Sequence, residues 1–317
     1  MSAPERLVHI VDEVPELDER ETLGAEHEPL VLVVALEGLL DAGRASVLAA
    51  EHLLADDAGR VVATFDVDEV YDYRARRPPI SFVRDHYEDY AAPRLVVRLQ
   101  RDAGGSPYLL LLGPEPDIRW EAFARAVRAV VERFDVAKVI TLAAVPMAVP
   151  HTRPVALTEH ANDTSLVTGV SAWQGELRVP SSAQALLEVR LGEWGHVLQG
   201  AVVHVPHYLA QMGYPRAAVA LLEYVERVAR LTIDLNDLKA AAETTEAEVA
   251  DYLGDHDDVR EVVLGLERQY DTFHRAEEQG SNLLAPDTPI PSGEEIGRQF
   301  EQFLAGLDGP DQADDRS

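Results

Sequence analysis

Three apolar runs give way to polar loops whose residues could do chemistry. Leu36 leads into Glu37, Gly38 and Asp41, Ala144 into His151 and Arg153, and His204 into His207 and Tyr208. Strands that lie parallel in one sheet end on the same edge, and open α/β proteins bind ligands in the crevice there. In such a crevice Asp41 or His207 would serve as acid or base, and Arg153 would bind an anionic or carbonyl group whose charge grows in a transition state. Each residue also has a local structural use. Gly38 suits a steric turn, Asp41 a helix cap and His207 a packing role.

Other chemistries lack their residues. Asp66, Asp68 and Asp72 have neither the glycine turn nor the terminal glutamate of a calcium loop. His204 and His207 are separated by Pro206, which breaks the helical geometry that would bring both imidazoles onto one metal. There is no Gly-x-Ser-x-Gly elbow, and the glycines from Gly38 to Gly43 lack the lysine and the spacing of a phosphate-binding loop. The chain contains no cysteine, so disulfides, thiolate metal sites and cysteine nucleophiles are excluded. Neither a metal nor a cofactor is expected.

The formal net charge is −28, from 28 basic and 56 acidic residues. That field repels nucleic acid and anionic lipid. The N-terminal residues lack the basic start and apolar core of a signal peptide, and no apolar run approaches the ~18 residues that span a bilayer. A cytoplasmic protein without nucleic-acid or membrane partners is expected.

The elements that must position the polar loops can be read from periodicity. Leu30 to Leu36 is an uninterrupted apolar run, the mark of a strand covered on both faces, and Asp41 can cap a helix from Ala42 to Leu54. Val61 to Phe65 then completes a right-handed βαβ unit. Leu7 to Leu17 suits an edge strand or an arm. Arg94–Gln100 and Tyr108–Leu112 flank a glycine-rich turn as a hairpin, which makes the sheet mixed. From Ile118 to Phe134 the apolar residues recur at helical spacing, Lys138–Ala144 is a further buried strand, and Val155–Thr158 extends the sheet. Ser181 and Ser182 can cap a helix that precedes a strand from Val197 to Val203. Three amphipathic helices follow within 213–279, then a linker, a short terminal helix and an acidic tail in 280–317. The expected architecture is α/β: an αβα sandwich in residues 1–212 with a mixed, mostly parallel sheet, plus a C-terminal helical appendage.

Several segments, taken as an ordered set, resemble the proteasome assembly chaperone 2 family in its actinobacterial branch. They include Glu37-Gly38-Leu39-Leu40-Asp41-Ala42-Gly43, Tyr73-Arg74-Ala75-Arg76-Arg77-Pro78, Gly113-Pro114-Glu115-Pro116-Asp117, Pro150-His151-Thr152-Arg153-Pro154 and Val205-Pro206-His207-Tyr208-Leu209. The resemblance implies a phosphorylase/hydrolase-like sandwich, a tendency to form homotrimers, a possible proteasome-related protein partner, and no established enzymatic activity. Some eukaryotic members end in a hydrophobic-tyrosine-any tripeptide that docks on the proteasome. This sequence ends Asp315-Arg316-Ser317. Two functions are therefore expected in order: a non-enzymatic oligomeric binding or assembly factor, then a small-molecule hydrolase or phosphorylase-like enzyme using Asp41, His151, Arg153 and His207.

Overall fold

A computed structural model describes residues 7–17, 29–55, 58–168 and 176–278. The linker, terminal helix and tail expected in 280–317 lie outside the described residues. Ten strands carry the labels β1 (Val8–Ile10), β2 (Val31–Glu37), β3 (Arg60–Phe65), β4 (Ser81–Val83), β5 (His86–Glu88), β6 (Val96–Arg101), β7 (Pro107–Pro114), β8 (Lys138–Met147), β9 (Leu157–Ala161) and β10 (Leu198–Pro206). The helices are α1 (Ala45–Leu53), α2 (Trp120–Arg133), α3 (Ala183–Glu193), α4 (Pro215–Ala229), α5 (Asn236–Asp255) and α6 (Asp257–Glu278).

Eight strands form one sheet in the order β1-β3-β6-β7-β2-β8-β10-β9, while β4 and β5 pair by themselves. The centre, β7-β2-β8-β10, is parallel. Both flanks are antiparallel: β1, β3 and β6 on one side and β9 on the other. The mostly parallel character expected of the sheet thus belongs to its four central strands. The β6–β7 hairpin is present and inserts between β2 and β3, so the crossover through α1 delivers β3 three places away rather than beside β2.

The uninterrupted apolar run of β2 feeds two cores. Leu32, Val34 and Leu36 point to the face covered by Phe123, Val127 and Val130 of α2 and Leu187 and Leu191 of α3. Val31, Val33 and Ala35 point to the other face, with Ala45 and Ala49 of α1 and Leu221, Leu222 and Val225 of α4. A strand alternates its side chains between faces, so only a run with no polar break can serve both layers. Burying each of the larger side chains stabilises the fold by about 1.5–3 kcal/mol. Helix α4, grouped from its sequence with the later helices, is thus a wall of the sandwich. Leu238 and Val249 of α5 join the same core.

Asp41 does not open α1 directly. A 3-10 turn, Ala42–Arg44, intervenes, with positive φ at Gly43 (65°) and Arg44 (51°), and α1 begins at Ala45. At Gly43 this conformation is combined with close packing, because a Cβ there would lie 2.9 Å from that of Tyr214. The Asp41 carboxylate still caps α1, accepting from the Ser46 amide at 2.7 Å. Ser182 caps α3 in the same way, accepting from the Ala185 amide at 3.0 Å.

Two compact units divide the chain, Met1–Glu267 and Arg268–Ser317. The first holds the sheet and its covering helices. The second is described only over the last turns of α6. Among the described residues no helix is long and apolar enough to cross a membrane.

Candidate functional site

The parallel centre of the sheet brings its three polar loops to one edge, and main-chain bonds join them. The Ala144 amide at the end of β8 donates to the Leu40 carbonyl at 2.8 Å, and Gly43 donates to Ala210 beyond β10 at 2.8 Å. The Tyr214 amide returns to the Gly43 carbonyl at 2.8 Å. His151 and Tyr208 complete the set by bonding the β8 loop to the β10 loop. The side chains, however, divide among separate settings.

Glu37 and Gly38 line an open groove of about 500 Å³ with Leu39, Arg76, Glu115, Asp117, Trp120 and Ser182. Asp41, His151, Arg153, His207 and Tyr208 lie outside its lining. Within the groove Glu115 joins two loops. One of its carboxylate oxygens accepts from the Leu39 amide at 3.1 Å and the other from the Gln184 amide in the first turn of α3 at 3.2 Å. A negative group there also meets the positive end of the α3 dipole. Gly38 permits this approach, because a Cβ at that position would sit 2.1 Å from a Glu115 oxygen. Beside it Arg76 pairs with Asp117 at 2.8 Å and donates to the Glu115 carbonyl at 2.5 Å, and Asp117 also accepts from the Asp72 amide at 2.7 Å. Both Glu115 oxygens and Oδ2 of Asp117 already have donors.

By residue type alone the sequence does not mark Arg76, Glu115, Asp117 and Ser182 as site residues. Their signal in the sequence is local: Glu115 lies between Pro114 and Pro116 at a strand end, where a fixed main chain aims a side chain across the edge.

The second setting gathers His151, Tyr208, Arg216 and Glu246. The Tyr208 hydroxyl accepts from the His151 amide at 2.9 Å and lies 2.7 Å from its Nδ1, so its own proton is free to complete the bond to the imidazole. Arg216 donates to the His151 carbonyl at 2.8 Å and pairs with Glu246 of α5 at 2.7 Å. Burial lowers the His151 pKa, against the pull of Glu246, and holds the ring neutral near pH 7. Burial raises the Tyr208 pKa to about 12, which keeps the hydroxyl protonated. Arg153 turns to Glu267 at 3.5 Å, and Thr152 donates to the same carboxylate. His207 stacks edge-on against Tyr208, with ring centroids 5.4 Å apart, and its buried Nδ1 has no hydrogen-bond partner among the described residues.

Asp41 forms the third setting. Burial, opposed by the Ser46 and Val47 donors and reinforced by nearby Glu37, raises its pKa to about 6. Its one short bond points back into its own helix. Among the described residues no group of three or more His, Cys, Asp or Glu side chains is disposed to hold a metal ion.

Replacing Tyr208 with phenylalanine is expected to cost about 1–2 kcal/mol, because the His151 amide and Nδ1 lose their partner while staying buried. Urea unfolding checks this. An unchanged midpoint would mean that the hydroxyl contributes nothing to the loop junction.

The family model described as the PAC2 family matches residues 35–253, a span that runs from the end of β2 through the groove and the His151–Tyr208 junction. A comparison with curated proteins finds no match. Among solved structures, a Mycobacterium tuberculosis protein of unknown function is 43% identical over 86% of this chain and 92% of its own, with a TM-score of 0.81. A Corynebacterium glutamicum protein of unknown function is 35% identical over 84% of this chain and 97% of its own, with a TM-score of 0.78. The Mycobacterium tuberculosis proteasome-assembly chaperone homologue is 29% identical over 74% of this chain and 100% of its own, with a TM-score of 0.68. With the family model matching most of its length and these relatives sharing its fold, the chain belongs to the PAC2 family.

Proposed function

We propose that this chain is a non-enzymatic, homotrimeric binding or assembly factor of the cytoplasm whose partner is a protein. The observation that carries the reading is the state of its candidate acid, base and anion-binding groups. Asp41 bonds the amide of Ser46, His151 bonds Tyr208, Arg153 pairs with Glu267, and the His207 ring packs edge-on against Tyr208. A catalytic set needs its nucleophile or base aimed at a shared point where a reacting atom can sit. These groups face different partners within the chain. The proteasome-assembly chaperone homologue among the relatives supports the choice of partner, and proteasome subunits are the first to test.

The test has two parts. Light scattering on a sizing column is expected to return the mass of three 34.8 kDa chains, and purified proteasome α subunits are expected to co-elute with them. Absence of co-elution would remove the proteasome as partner. Wild-type turnover of a nucleoside, ester or pyroglutamyl peptide that disappears in a folded Asp41 or His207 variant would replace the binding reading with the enzymatic one.

A further inference from the structure

Strand β2 is buried over six residues and ends on one exposed residue, Glu37, whose carboxylate has no hydrogen bond or ion pair among the described residues. It lines the groove beside Gly38. The other charges there are engaged within the fold. Glu115 fills the amides of Leu39 and Gln184, the two main-chain donors that could otherwise receive an anion, and Arg76 is committed to Asp117 and to the Glu115 carbonyl. Three carboxylates against one guanidinium give the lining a formal net charge of −2. Such a lining opposes a negative group and attracts a positive one.

Apolar surface lies beside this charge. Leu39, 62% exposed, lines the groove with Trp120, whose indole N–H donates to the Pro116 carbonyl at 2.7 Å and so fixes the ring at the start of α2. An arginine suits both kinds of surface. Its guanidinium meets a carboxylate through two parallel hydrogen bonds, its methylene stem covers apolar side chains, and its planar cation packs over an indole. At about 500 Å³ the groove lies within the range of ~300–1,000 Å³ typical of ligand sites, which admits a few side chains and no folded domain.

We infer that the groove docks a basic segment of a protein partner, with an arginine seated between Glu37 and Trp120 and an apolar neighbour of that arginine over Leu39. The inference rests on the protein-partner reading and deepens it by naming the chemistry of the partner's segment. The net charge of −28 steers such a segment toward this chain. The walls are ready before it arrives, because Glu115 and Arg76 are already held by the main chain and by Asp117, so little ordering opposes docking.

The experiment measures fluorescence anisotropy of a labelled peptide carrying one arginine between two leucines, and of counterparts with glutamine or glutamate in its place, against the full-length protein. Wild type is compared with Glu37→Lys and Leu39→Ser, both at exposed positions, so circular dichroism should show unchanged folding. The arginine peptide is expected to bind wild type about tenfold or more tighter than the glutamine peptide, and Glu37→Lys should remove that preference. Leu39→Ser should weaken the peptide and leave competition by free arginine amide unchanged, while added salt should weaken the peptide on wild type. An arginine peptide that binds no tighter than the glutamate one, or equally well to Glu37→Lys, would overturn the groove as a cation site. Arginine amide that competes as tightly as the peptide binds would replace the protein segment with a small cation. Co-elution of proteasome α subunits separates the two readings. Subunits that co-elute equally with wild type and Glu37→Lys overturn the groove and leave the protein partner standing, whereas arginine-selective peptide binding without co-elution removes those subunits as partner and leaves the groove standing.

Discussion

Gly38→Ala is expected to destabilise the protein by about 3 kcal/mol, because the added methyl must expel Glu115 from its two backbone donors. The three atoms nearest the new Cβ all belong to Glu115, at 2.1, 2.6 and 2.8 Å. Two of them lie in its carboxylate and the third is its own Cβ, so a rotation of the carboxylate alone cannot make room. Once Glu115 moves, the amides of Leu39 and Gln184 lose a charged acceptor, and the first turn of α3 loses the negative group at its positive end. The substitution is therefore predicted to act on two loops and a helix from one position. In a Glu115→Gly background the same alanine meets none of these atoms, and its cost should fall to about 0.5 kcal/mol or less, a coupling that a double-mutant cycle measures. A cost that persisted in that background would show that Gly38 is needed for the path of the main chain and not for the approach of Glu115.

How far the sequence could foresee this groove depends on how local each cause is. The apolar run of β2, the helical spacing along α2 and the Ser182 cap of α3 are dictated by neighbours within a few residues, and each is found where periodicity and capping chemistry place it. The edge that collects the polar loops also follows, once the central strands are parallel. Side-chain destinations do not follow. Glu115 bonds amides 76 and 69 positions away, and Arg153 meets a carboxylate 114 positions away. Nothing near those residues encodes their partners. The same limit explains β3, whose place at the far side of the β6–β7 hairpin is set by long-range pairing, and α4, whose amphipathic pattern resembles that of a peripheral helix until the sheet beneath it is known.

The structural reading of the polar edge has a direct consequence for function. A loop junction tied by main-chain bonds and by the His151–Tyr208 pair is a rigid platform, and a rigid edge suits the presentation of a surface to another protein. The β4–β5 hairpin follows, along the chain, the segment that Arg76 ties to the same edge.

Asp41→Asn is expected to make the protein more stable above neutral pH and to leave it unchanged in acid. The folded state holds the Asp41 carboxyl at a pKa of about 6, against 3.8 for an unperturbed aspartate, mainly through burial. Between those values the folded chain binds more protons than the unfolded one, so stability falls as pH rises from about 4 to about 6. That shift corresponds to about 3 kcal/mol, all of it lost once the group is ionised in both states. Asparagine keeps an oxygen for the Ser46 amide but cannot ionise. The variant should thus match wild type near pH 4 and exceed it by up to about 3 kcal/mol near pH 8. Asp41→Ala, which removes the cap itself, should fall about 1 kcal/mol below wild type near pH 4. Urea unfolding of the three proteins across this range separates cap from charge. A difference between Asp41→Asn and wild type that stayed constant with pH would mean that this carboxyl is no more buried in the folded chain than in the unfolded one.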